Sequence, residues 1–467
     1  MTGTATNYDP RTFKALSFHD AVAKFRAGSD TPRAYLERCL ETVEAREAVV
    51  KAFAARNDDA ARAAADASTQ RYKDGKPISP IDGMPIGIKD LLETKDMPTQ
   101  MGCEAYHGNF PKRDNAAVWA LRAAGAVVFG KTVTAELGGT HPGPTTNPFD
   151  PARTPGGSSS GSAAAVAARM MPAAIGSQVG GSIIRPAAFC GNVALKPSQG
   201  GINRGERQAT SMSTHGVHAG CIEDVWIASI EIVKRCGGDR GFPGICGPDA
   251  PPEAVRPMRL MVLETEGWAE LDDASKHAFG ALMERLERAG ITLLRRRDNP
   301  LIDALERAIA EARTVAPTIT AWENRWAIRN LVDTNPDGVS ERAKASLARS
   351  EAMSHQDYQM LLLRRAHAQA AHAAAAPLAD AAITLSCPGP APLWPGDKPG
   401  QPLAPRPTGD AVFNTGSSML FAPCVTMPLM SVRGLPVGAQ VVGLPGQDAR
   451  MVSHARWLID NVQPVVG

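Results

Sequence analysis

The chain carries no excess of charge of either sign. Lys and Arg total 50 and Asp and Glu 48 of 467 residues, a formal net charge of +2, so no global field draws it to nucleic acid or to an acidic membrane. Its 10 histidines and 8 cysteines never fall into CxxC or HxxxH spacing, and the sequence predicts no metal site. No apolar run reaches the ~18 residues that span a bilayer. The opening MTGTATNYDPRTFKALSF has no cationic stretch followed by an apolar one, the layout of a secretory signal. Scattered cysteines in such a chain are expected to be reduced thiols. Repeats and a clean domain boundary are also missing. The expectation is a soluble, cytoplasmic protein with no membrane and no nucleic-acid partner.

What is present is a hydrophobic content of 43%, ample for a large core. TPRAYLERCLETVEAREAVV places a Thr31 cap and Pro32 before Tyr35, Leu36, Leu40 and Val43 on one helical face. A second, Ala-rich helix is expected over about Asp59–Tyr72. IDGMPIGIKDLLET reads as a turn and a short apolar strand ending at Lys89. RDNAAVWALRAAGAVVFGKT reads as a helix, a stop at Gly125, and a strand over Ala126–Phe129. Strand, helix and strand with short joints predict an α/β layered sheet. Residues 254–360 are richer in charge and helical pattern. Eight prolines then fall within Pro388–Pro407, a loop expected to be either a linker or a rigid wall over a site. GLPVGAQVVG (Gly434–Gly443) reads as a late buried strand.

PGGSSSGSAAAV, Pro155 to Val166, is the stretch with chemical content. It is not a phosphate loop, because Ser162 and Ala163 stand where GxxxxGK[ST] needs Lys and a hydroxyl. Gly157 to Gly161 satisfies GxSxG, but the preceding TTNPFDPARTP is polar and rich in proline, not the central strand a nucleophile elbow needs. A flexible linker would be the ordinary reading. Against it, a second cluster, GSQVGGSIIRPAAFCG, places Ser182 24 residues after Ser158. One Ala-rich helix and one short strand lie between, so the two clusters have the spacing to meet at one edge of a sheet.

These segments resemble the amidase signature family. Gly156–Ser162 matches GGSSGGS, Gly180–Ser182 the GGS turn, RPAAFCGNVALKPS the PAxxCGxxxLKP segment, GMPIGIKD the GxPxxxKD lysine segment, and GLPVGAQVVG the C-terminal strand. The similarity covers most of 80–230 and 410–445, and the spelling is closest to malonamidase-like members. The resemblance implies one large α/β domain over 1–467, a mixed β-sheet covered by helices on both faces. N-terminal helices would take about 11–75, the signature core about 80–230, and helical and loop insertions about 254–410.

It also implies a mechanism, hydrolysis of a small carboxamide through an acyl-enzyme. Ser182 would be the nucleophile, Ser158 (after a cis peptide from Gly157) the bridging serine, and Lys89 the base, with Val179, Gly180 and Gly181 as the oxyanion hole. A lysine serves as a base only if burial or neighbours lower its pKa from near ~10.4; from the residues alone Lys89 reads as a surface lysine at a strand end, a reading that only the resemblance reverses, and Asp90 would oppose the shift if it pointed inward. Ser159 and Ser160 are expected to cap the helix that follows. Arg185 is assigned to substrate binding, since a guanidinium grips a carboxylate bidentately, against a second reading as a tie for the turn. No cofactor is implied. The partner is a small amide, with room for a homodimer. The chain departs from the common pattern at Gln178 (usually Asp), Ile184 (usually Arg) and Ser213 (usually Asp). The alternatives are the glutaminase subunit of a tRNA-dependent amidotransferase and an esterase on the same triad.

Overall fold

The computed structural model describes residues 6–206, 210–398 and 400–467. Its strands are β1 (Phe53–Arg56), β2 (Pro85–Lys89), β3 (Val127–Thr132), β4 (Ala173–Gln178), β5 (Val193–Lys196), β6 (Thr214–Ala219), β7 (Arg259–Val262), β8 (Thr292–Leu294), β9 (Ala381–Leu385), β10 (Cys424–Val432), β11 (Leu435–Val442) and β12 (Val465–Val466). All twelve join one sheet in the order β1-β3-β2-β4-β6-β5-β10-β11-β9-β7-β8, with β12 beside β10. The sheet is mixed. β2 runs parallel to β3 and β4, and β7 parallel to β8 and β9, while β6, β5, β10, β11 and β9 pair antiparallel in turn. Every residue of β2, β3, β4, β6 and β11 is buried. Successive side chains point to opposite faces, so helices cover both faces of the sheet.

The local readings hold where a cap or a stop enforces them. The helix Pro32–Val50 starts at Thr31, whose side chain accepts from the Ala34 amide, and buries Tyr35, Leu36, Leu40 and Val43. The next helix is Asp58–Lys73, one residue longer at each end than its pattern predicts. The helix Ala116–Ala123 stops before Gly125, which takes φ +88° and approaches the Asp82 side chain too closely for any Cβ. β11 falls inside the predicted late strand. The pattern did not single out β10, its hairpin partner.

The proline-rich loop behaves as a wall at its start. Leu393 bridges Arg153, the Trp394 amide donates to the Ala152 carbonyl and the Thr154 amide to the Pro392 carbonyl. It is thus stitched to the segment that runs into Gly156. Pro399 of that loop lies outside the described residues. Among the described residues no helix is long and apolar enough to cross a membrane, and no group of three or more His, Cys, Asp or Glu side chains is placed to hold a metal ion. All eight cysteines are unpaired.

Candidate active site

Ligands of open α/β sheets collect outside the carboxyl ends of parallel strands. Lys89 is the last residue of β2 and Gln178 the last of its parallel neighbour β4. Lys89 is fully buried. Its Nζ lies 2.8 Å from Ser158 Oγ, 3.0 Å from Ser177 Oγ and 3.2 Å from the Ser177 carbonyl. Burial pushes its pKa well below the ordinary lysine value, and the positive charge of Arg185 pushes the same way. Asp90 does not oppose this by pairing with Lys89. Its carboxylate is bonded to Lys131 Nζ at 2.8 Å, which also donates to Thr99 Oγ1 and the Pro98 carbonyl. Two buried histidines on β6, His215 and His218, are held neutral by burial, with Arg204 and Lys89 adding to the effect at His215 and Lys89 at His218; both pKa values fall to about 3.

The first Gly/Ser cluster is a set of fastenings. The Gly157–Ser158 peptide is cis, and Ser158 is almost fully buried beside Lys89. The helix Ser160–Ala167 follows directly. Ser159 and Ser160 do not cap it, contrary to the sequence expectation. Ser159 Oγ instead donates to the Ser177 carbonyl and accepts from the Ser177 amide, Ser160 Oγ donates to the Val133 carbonyl, and Ser162 Oγ bonds Thr132 Oγ1 and the Ile175 carbonyl. A helix pressed flat on β3 and β4 puts these hydroxyls nearer to strand backbone than to its own first amides, so they brace the sheet. Gly161 permits the close approach: a Cβ there would sit 2.2 Å from the Ala52 carbonyl oxygen and 2.4 Å from the Val133 nitrogen. Both are backbone atoms that cannot swing aside. Gly161→Ala is therefore expected to destabilise the chain by about 1–3 kcal/mol or more, read as a lowered midpoint in urea unfolding; an unchanged midpoint would contradict this packing.

The second cluster forms the turn that joins β4 to the helix Ile184–Cys190. Ser182 is half-buried there, and its carbonyl accepts from the Ser159 amide at 3.3 Å. The backbones on either side of Lys89 are thereby held together. Val179 and Gly180 are half-buried and Gly181 buried. Among the described residues, the amides of Val179, Gly180, Gly181 and Ser182 make no hydrogen bond within the protein. Gly181 has no room for a side chain, since a Cβ would meet Asn414 Oδ1 at 2.6 Å. Gln178 Oε1 accepts from the amides of Ile183 and Ile184 at 2.8 and 3.0 Å. This supplies the start of the helix with the acceptor that its first donors need.

Arg185 reaches back across the site. Its Nε donates to the Thr408 carbonyl at 2.9 Å, and its Nη2 to the Gly157 carbonyl at 2.6 Å and Thr408 Oγ1 at 3.2 Å. Its Nη1 faces the Gly181–Asn414 side. Burial lowers its pKa to about 10. Sequence reasoning placed Lys89, Ser158, Ser182, the glycine turn and Arg185 in one neighbourhood, and the fold brings them there. It missed Ser177, which holds Lys89, and three residues of the 408–418 segment that carry no motif of their own: Thr408, which accepts from Arg185, and Asn414 and Ser418, which lie against Gly181 and Gly180 of the turn.

A buried lysine is hydrogen-bonded to a serine hydroxyl beside a glycine turn whose amides are unbonded among the described residues, at the end of parallel strands of a mixed α/β sheet. The Amidase family model matches residues 34–452, and the chain belongs to that family. It is similar to a glutamyl-tRNA(Gln) amidotransferase subunit of Chloroflexus aurantiacus, 43% identical over 195 residues, 40% of each chain. The chain thus spans about two fifths of the length of that curated relative. A solved amidase superposes with a TM-score of 0.82 at 28% identity, over 96% of this chain and 100% of the other. The peptide amidase of Stenotrophomonas maltophilia has the same fold, with a TM-score of 0.77 at 23% identity over 96% and 98%.

Proposed function

We propose that the chain hydrolyses the C–N bond of a small carboxamide through Ser182, Ser158 and Lys89. The observation that carries this reading is the 2.8 Å contact between fully buried Lys89 Nζ and Ser158 Oγ. An amide is a poor electrophile with a poor leaving group, so hydrolysis needs a nucleophile, a proton shuttle and oxyanion donors. Ser182 Oγ attacks the carbonyl carbon while its proton passes through Ser158 to Lys89 Nζ. The oxyanion is met by amides of the Val179-Gly180-Gly181 turn, where one donor is worth about 3 kcal/mol. The tetrahedral adduct collapses with cleavage of the C–N bond, and the proton returns through Ser158 to the departing ammonia or amine. Water, deprotonated by the same route, then attacks the Ser182 ester and releases the acid.

Arg185 enters the proposal with two parts. Nε and Nη2 tie Gly157 to Thr408, and Nη1 is assigned to a carboxylate on the substrate. The unpaired cysteines support a reducing, cytoplasmic setting. A second reading, the glutaminase subunit of a tRNA-dependent amidotransferase, is favoured by the amidotransferase relative. Esters would react at the same serine.

The test is ammonia release by the purified single chain from a panel of primary amides, with matched esters, amides with and without a carboxylate, and glutamine. Turnover of a small amide by the chain alone is expected. Turnover of glutamine only, and only with a partner subunit, would favour the second reading; ester cleavage with no amide cleavage would favour the third. Arg185→Leu is expected to slow all substrates through loss of the tie, with a further ten- to a thousandfold (about 1.5–3 kcal/mol or somewhat more) on the carboxylate-bearing amide. The acidic limb of the pH–rate profile should move to higher pH, because a positive neighbour of Lys89 is removed. Equal loss on both amides would remove substrate recognition from Arg185.

A further inference from the structure

We infer that Gln178 and Ser418 are positioning residues that aim the oxyanion-binding amide of Gly181, an inference that rests on the function proposed above. The two side chains form a directed chain of hydrogen bonds onto the turn. Gln178 Oε1 is occupied by the amides of Ile183 and Ile184, so its Nε2 must face the other way. Nε2 donates to Ser418 Oγ at 3.1 Å and, more weakly, to the Gly180 carbonyl at 3.4 Å. Ser418 Oγ accepts that bond and spends its one proton on the Gly180 carbonyl at 2.9 Å. Gln178 and Ser418 are both almost fully buried, so water does not compete for these groups.

The consequence follows from peptide geometry. The Gly180–Gly181 bond is trans, and in a planar trans peptide the C=O and N–H point in opposite directions. Pinning the Gly180 carbonyl towards Ser418 and Gln178 pins the Gly181 N–H away from them, on the side left unbonded. Glycines at 180 and 181 leave the turn free to adopt many backbone conformations, and this chain of bonds removes that freedom. An oxyanion hole works by being organised before the charge develops, and here the organisation comes from a strand-end amide and a hydroxyl 240 residues away.

Gln178→Glu separates the two arms of the clamp. Its carboxylate still accepts from the amides of Ile183 and Ile184, but it cannot donate. It also attracts the Ser418 proton, so the Gly180 carbonyl loses both donors. Gln178→Met and Ser418→Ala are the neutral companions. The measurements are kcat and KM for the best amide on the plateau of the pH profile, the thermal midpoint, and the affinities of two inhibitors of the same acyl group. One is a trifluoromethyl ketone, which forms a tetrahedral oxyanion; the other is a non-reacting competitive inhibitor.

The expected result is a folded Gln178→Glu enzyme with near-native KM and kcat lower by about ten- to a thousandfold. Ketone affinity falls in parallel, and the competitive inhibitor binds as before. Ser418→Ala gives the same pattern more weakly. Native kcat and ketone affinity in folded Gln178→Glu or Ser418→Ala would overturn the inference, as would equal losses for both inhibitors with a lowered midpoint. If Gln178→Glu fails to fold, Ser418→Ala decides. Failure of the proposed function shows earlier and differently, as no ammonia release and no ketone adduct with the native enzyme.

Discussion

Ser182→Ala should abolish covalent labelling by a fluorophosphonate and lower amide turnover by on the order of 10⁶, the scale seen when a serine nucleophile is removed. Ser182 is half-buried in its turn, whereas Ser158 and Ser159 are sealed in the protein. A reagent that needs an exposed hydroxyl therefore meets Ser182 first. Ser159 is committed on both sides, donating to the Ser177 carbonyl and accepting from the Ser177 amide. Peptide mass mapping should place one adduct on Ser182 in the native chain and none in the variant. An adduct on Ser159 would instead restore the nucleophile-elbow reading of GxSxG. The fold should not suffer, because the Ser182 contact that joins the two clusters is made by its carbonyl, which alanine retains.

Lys89→Met should lose about 10²–10⁴-fold in turnover, the range that one positioned base contributes, while matching or exceeding the native protein in thermal stability. Lys89 is neutral in the folded chain at pH values where the unfolded chain protonates it. With the folded pKa depressed below the ordinary 10.5, the unfolded state binds more protons between the two values. Stability therefore rises with pH across that window and is penalised below it. Methionine fills a similar volume without that penalty, so the variant should show both a higher midpoint at neutral pH and a flatter pH dependence. The native rate should rise with pH through the folded pKa of Lys89, since only the neutral amine accepts a proton. His215 and His218, the titrating groups of β6 beside it, lose their protons at about 3, well away from a limb that belongs to Lys89. Near-native turnover in Lys89→Met would remove lysine from the mechanism. Loss of turnover with loss of fold would make it a structural group.

Much of the local structure was legible. The Thr31 cap, the Gly125 stop and the strand ending at Lys89 each depend on residues within one turn of the chain, and such signals survive any tertiary arrangement. The order of the strands was not legible. Strands buried on both faces lose the alternation of apolar and polar residues, so β4 (Ala173–Gln178) and β10 (Cys424–Val432) gave no sign of their neighbours. The serines misread as caps show the same limit. Ser159 and Ser160 stand at the start of a helix, as caps do, and only the sheet pressed against that helix offers them other partners.

The sequence by itself determined which chemical groups are available and that they come at strand ends and glycine turns: a lysine at 89, serines at 158 and 182, and an arginine three residues beyond. Tertiary structure alone decided what those groups are. The same lysine on an open strand end would be an ordinary cation; enclosed against Ser158 and Ser177, with Asp90 drawn off to Lys131, it has lost the water that would keep it charged. The bonds that shape the site join residues far apart in sequence, 240 positions for Gln178 and Ser418 and 223 for Arg185 and Thr408. A periodic pattern carries no record of such pairs, because they are set by which strands lie side by side and not by what is next along the chain.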